Sequence, residues 1–230
     1  MIRSAPMPDD DVWTVRWIGA QRDVLAGDLS GKIDLRTLAD VPHLYALGPC
    51  EGLQGEVTVF DGRPSIARVV AGRIEVDARL DHHACFLVFA SVPGWDEVVL
   101  TRPIRGVPTL EEEVVKASTS ARARLPLPFR VTGRAEHAML HVLDKRDGLP
   151  HTPELHERAK VHFAVEQKAV EIIGFLSSQH RGIFTPKDAN LHMHIRTLDD
   201  RTSGHLETVE LAAGASLWLP HSRGGKGDGV

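Results

Sequence analysis

Residues 55–76, "GEVTVFDGRPSIARVVAGRIEV", are short β-branched runs cut by Asp61-Gly62 and Ala71-Gly72. Such dipeptides supply the positive φ angles that tight hairpin turns need, so this stretch predicts strands joined by hairpins. "HACFLVFASV" (83–92) is almost continuously apolar and predicts a buried strand, and "DEVVLTRPI" (96–104) predicts another. Before them, "GAQRDVLAGDLSGKIDLRTLADVPH" (19–43) predicts helical segments broken at Gly27 and Gly31, with Asp28 and Ser30 as caps. "TLEEEVVKASTSARAR" (109–124) predicts a longer helix.

The pattern restarts after the Pro-punctuated "LPLPF" (125–129). "FRVTGRAEHAMLHVLD" (129–144) is strand-like in places, and "VHFAVEQKAVEIIGFLSS" (161–178) predicts two strands. "GIFTP" (182–186) is a turn, and "NLHMHIRT" with "GHLETVELA" predicts a hairpin. The expected fold class is α/β of the α+β type: two sheet-rich halves of mixed, mostly antiparallel strands with a few helices. The organisation expected is a disordered lead-in over 1–10, an N-terminal α/β half over 11–120, a β-rich half over 121–220 and a flexible tail over 221–230.

Composition narrows the function classes. With 42% hydrophobic residues in 230, the chain can bury a real core. Its net charge of -4, with both signs mixed along the chain, gives no basic face for nucleic acid. Two cysteines, Cys50 and Cys85, allow one bridge at most and no disulfide framework. "MIRSAPMPDDDVW" has no apolar run of the signal-peptide kind, and no stretch approaches the roughly 20 apolar residues of a membrane span. A reduced, cytoplasmic protein with no membrane partner is expected.

Chemistry concentrates at "NLHMHIRTLDDRTSGHLE" (190–207). On a strand, side chains two apart share a face, so His192 and His194 project together while Met193 and Ile195 face the core. A turn centred near Asp199-Asp200 sets position 205 opposite 194, on the same face. Three imidazoles then converge from two strands, a site suited to zinc or a related transition metal with positions left open for substrate. The plainer alternative is three solvated surface histidines. Among the others, His82-His83 point to opposite faces, and His137, His141, His151, His156 and His162 have no defensible ligand spacing.

The order of these motifs resembles α-acetolactate decarboxylases over nearly the full length. The resemblance rests on "DVLAGDLSGKIDLRTLADVPH", "GPCEGLQGEVTVFDG", "HACFLVFASV", "TLEEEV", "GIFTP" and, most specifically, "HMHIRTLDDRTSGH". It implies conversion of 2-acetolactate to acetoin and CO2 in acetoin biosynthesis, by a dimeric zinc enzyme without an organic cofactor. By position the resemblance makes His192, His194 and His205 the metal ligands and Glu56, after Gly-Leu-Gln-Gly, an active-site acid. It points to Arg134, in Val131-Thr132-Gly133-Arg134, as the arginine that grips the substrate carboxylate. Loss of CO2 leaves an electron pair to be held as an enediolate, which a Lewis acid stabilises and a buried carboxylic acid can protonate.

Three departures accompany the likeness. The family's Gly-Thr-Phe before the glutamate motif reads Gly48-Pro49-Cys50 here, so the threonine hydroxyl is absent. The segment after the arginine is "AEHAMLHVLDKRDGLP" in place of a Pro- and Gln/Lys-rich stretch, and "AAGASLWLPHSRGGKGDGV" holds no glutamate to return to the site. These departures keep two other readings open. One is a divergent metalloenzyme that isomerises, hydrates or cyclises another chelating oxo acid in a specialised biosynthetic pathway. The other is a non-enzymatic metal- or ligand-binding module.

Overall fold

The computed structural model describes residues 13–221. The lead-in over 1–10 and nearly all of the tail over 221–230 lie outside them. The N-terminal strands are β1 (Arg16–Ile18), β2 (Ile33–Asp34), β3 (Leu44–Pro49), β4 (Glu56–Phe60), β5 (Arg63–Val70), β6 (Arg73–Asp77), β7 (His83–Ala84) and β8 (Leu87–Ser91). Then come β9 (Trp95–Leu100), β10 (Ile104–Arg105), β11 (Leu127–Leu143), β12 (Lys160–Leu176), β13 (Leu191–Thr197), β14 (Ser203–Leu211) and β15 (Ala215–Pro220). Helices are few: α1 (Gln21–Leu25), α2 (Val107–Ser120) and α3 (Pro153–Ala159), with two single 3-10 turns.

The strands form a six-stranded sheet, β1-β8-β3-β4-β5-β6, and a seven-stranded sheet, β10-β14-β13-β12-β11-β15-β9, with β2 and β7 as a small pair. Each named strand pair is antiparallel. Because β14 also pairs with β11, the four strands β11 to β14 close into a ring. The change of sheet falls at β9: Trp95–Leu100 and Ile104–Arg105 join the second sheet, well before the Pro-punctuated join.

Local chemistry explains the hairpins. Asp61, Gly62, Ala71 and Gly72 all have φ between 49 and 75°, so each pair makes the left-handed turn that matches strand twist. The helix predicted at 109–124 is α2, which buries Leu110, Val114 and Ser118 four residues apart on one face. The segment 19–43 is less helical than its pattern suggests, with one turn-and-a-half of α-helix, a short strand and a 3-10 turn. Where two strands were expected in 161–178, there is one, β12, which absorbs an irregularity at Gln167 (φ 51°) without ending.

Alternation along β4 ties sheet to site. Val57 and Val59 face an apolar cluster with Leu35, Leu38 and Ile66 on the outer side of the first sheet. By the two-residue period, Glu56, Thr58 and Phe60 face the second sheet. Phe60 joins the core between the sheets, and Thr58 and Glu56 meet histidines of the second sheet.

Candidate metal centre

His192 and His194 lie on β13 and His205 on β14, with His194 directly across from His205. The ring centroids form a triangle of 5.4, 4.9 and 5.5 Å. One nitrogen from each ring lies within 4.8 Å of the others. His192 Nε2 is 3.2 Å from His205 Nδ1. Two nitrogens at zinc-bonding distance on a tetrahedral ion would be about 3.3 Å apart, so the spacing fits.

The remaining nitrogens are oriented. His192 Nδ1–H donates to the Phe184 carbonyl at 2.7 Å, which leaves Nε2 its lone pair. His194 Nδ1 lies 2.8 Å from Thr58 Oγ1, which also accepts from Ser203 Oγ–H at 3.1 Å. His194 Nε2 is buried with no hydrogen-bond partner. An orphaned buried nitrogen is costly unless something fills its lone pair, and an ion would do so. Burial holds His192 down at about 4 and His194 and His205 well below the usual imidazole range, so all three are neutral, as ligation requires.

Glu56 is buried beside this triangle, with Oε2 3.6 Å from His194 Nε2 and Oε1 3.8 Å from His141 Nε2. Burial pushes its carboxyl well above the ordinary range, against the opposing pull of the Leu143 backbone and the Lys160 charge. Arg134 is elsewhere. It is exposed on β11, its Nε–H donating to Gln167 Oε1 at 3.2 Å, and it does not line the cavity at the histidines. Seven residues of one extended strand, roughly 23 Å, separate it from His141.

His141 is the residue that local spacing could not find. It sits on β11 between two partners set by long-range register, His162 on β12 and His205 on β14. Its ring stacks on His205 at 4.5 Å and 22°, and its Nδ1–H donates to Glu207 Oε1 at 2.5 Å. That hydrogen bond holds Glu207 down at about 2, while burial lowers His141. A neutral His141 that donates from Nδ1 satisfies both and presents Nε2 toward Glu56. The shared cavity is about 340 Å³, walled by apolar Val24, Pro49, Phe86 and Leu143 and bordered by Lys160 and His156. Cys50 and Cys85 are buried free thiols.

Two facing sheets thus enclose an open pocket lined by His192 and His205, with His194 buried beside them. Solved structures place the fold more narrowly. Over 90% of this chain and 86% of theirs, it matches acetolactate decarboxylase from Bacillus subtilis subspecies spizizenii (TM-score 0.74, 17% identity) and α-acetolactate decarboxylase from Bacillus subtilis strain 168 (0.73, 16%). A Staphylococcus aureus protein of unknown function, described as similar to α-acetolactate decarboxylase, matches over 91% of this chain and 86% of its own (0.69, 13%). No family model matches the chain, and no curated protein does. The chain therefore has the acetolactate decarboxylase fold at low sequence identity.

Proposed function

We propose that this chain is a metal-dependent carbon–carbon lyase that decarboxylates 2-acetolactate, or a similar 2-hydroxy-3-oxo acid, to acetoin and CO2. The observation that carries the reading is the orphaned, buried His194 Nε2 in a triangle of neutral imidazoles beside a buried glutamate. His192, His194 and His205 would hold Zn²⁺ or a related divalent ion, which when bound supplies a Lewis-acid pull on the oxygens beside the breaking bond. Val24, Pro49, Phe86 and Leu143 give the cavity an apolar part of its wall. As the C–C bond breaks, its electron pair moves onto the neighbouring ketone, and CO2 departs. Glu56, kept protonated by burial, is placed to return a proton to the carbon that lost CO2. His141, turned by Glu207, borders the same space.

The test is acetoin release from racemic acetolactate by zinc-loaded protein, with His192→Ala and Glu56→Gln beside it. The proposal expects turnover in the native chain, loss of metal and turnover in His192→Ala, and retained metal without turnover in Glu56→Gln. One tightly held metal per chain with no acetoin would instead favour isomerisation, hydration or cyclisation of another chelating oxo acid. The His141–Glu207 pair and the remote Arg134 are what support that second reading. Metal retained with no turnover of any chelating keto acid would leave a binding module. We infer a cytoplasmic homodimer, and light scattering of the purified protein checks the oligomeric state. Among the described residues no helix is long and apolar enough to cross a membrane.

A further inference from the structure

With Arg134 outside the pocket, the cavity needs another cation to receive an anionic substrate. Two lysines border it, and they differ sharply: the side chain of Lys187 is 81% exposed and that of Lys160 17%. We propose that Lys160 is the carboxylate anchor of this pocket, a role that rests on the oxo-acid reading of the same site.

Backbone structure fixes its stem. Lys160 opens β12 opposite Leu143, and the preceding Ala159 carbonyl accepts from Asp144 N–H at 2.8 Å. The head lies 3.7 Å from Glu207 Oε1, the oxygen that accepts from His141, and so reaches the wall shared with the histidines. An ammonium has three N–H donors. Glu157 takes one at 3.0 Å, and Glu207 lies beyond good hydrogen-bond distance, so donors remain for an incoming carboxylate. The Lys160 charge also bears on Glu56, His141 and His205, which places it in the field of the whole site. The Lys160 side chain is 17% exposed, which lessens solvent screening of such a contact, and a lysine meets a carboxylate as a point charge.

The anchor meets the carboxylate both before and during bond breaking, so its loss should raise KM more than it lowers kcat. The direct test is calorimetric titration of zinc-loaded protein with two stable probes: 2,3-dihydroxy-2-methylbutanoate, which carries the carboxylate, and neutral acetoin, which does not. Lys160→Met should weaken the acid at least tenfold and leave acetoin and zinc content unchanged. Lys160→Arg should restore the acid, and Arg134→Met should alter neither probe. Native-like affinity for the acid in Lys160→Met overturns the anchor alone. Equal weakening of both probes in Lys160→Met would mean a collapsed pocket and would also overturn it. A native chain that holds zinc and binds neither probe overturns the oxo-acid reading, and the anchor with it.

Discussion

Two buried polar clusters hang from the same strand, β13, and they are built to different ends. At its C-terminal part, Arg196 donates twice to Glu171 Oε2, at 2.9 and 2.7 Å, and lies over the Phe60 ring at 4.4 Å. Arg130 reaches the other oxygen of Glu171 at 3.2 Å and sits among the rings of Tyr45, Trp95 and Trp218. At the N-terminal part, His192 and His194 are as deeply buried, but His192 Nε2 meets only His205 Nδ1, at 3.2 Å, and His194 Nε2 has no partner. A cluster whose charges answer one another holds sheets in register. A cluster of neutral imidazoles around common space has the donor set an ion could join. Burial alone does not separate the two, and each holds one orphaned nitrogen; Arg130 Nε leaves an N–H, whereas a neutral His194 can leave a lone pair at Nε2.

The comparison can be broken most sharply at His194. Replacement by Ala should lower zinc affinity on the order of 1,000-fold or more, since even outer partners of ligands cost 10–100-fold. Competition with a chromogenic chelator reads this, and unchanged affinity would remove the triangle as a metal centre. At the other cluster, Glu171→Ala leaves Arg196 buried without its acid and should cost about 3–5 kcal/mol in urea unfolding, with zinc affinity intact. Loss of zinc with preserved stability would mean the two clusters are one. Thr58→Val should weaken zinc about tenfold by freeing the His194 ring, with a stability loss near 1 kcal/mol for the stranded Ser203 hydroxyl. Arg134→Ala should move nothing beyond about 0.5 kcal/mol, because the side chain is exposed and its hydrogen bond goes to Gln167, away from the cavity. A large fall in kcat in that variant would return Arg134 to the site.

What could be read from the chain was local. The hairpin of residues 190–207 announces itself through a two-residue period and turn-forming Asp and Gly, and the structure pairs His194 with His205. The turns at Asp61-Gly62 and Ala71-Gly72 are legible because only a few residues accept positive φ. His141 was invisible for the opposite reason: its neighbours on β12 and β14 are 21 and 64 positions away in register, and no short motif encodes that. Arg134 shows the converse failure. Its place in a motif suggested the site, but one strand of 17 residues carries it out of reach. Lys160 is hidden by a helix that the alternating pattern does not announce.

That helix is part of an excursion, residues 144–159, whose two ends meet side by side at Leu143 and Lys160. The strands before and after it stay zipped, and its first residues are tied to the N-terminal half, Lys145 N–H donating to the Leu53 carbonyl and Arg146 to that of Val69. It contributes His156 and Glu157 to the rim, and Lys160 stands at its foot. The triangle of imidazoles thus stands on β13 and β14, whereas part of the pocket's rim is hung on a separate chain excursion.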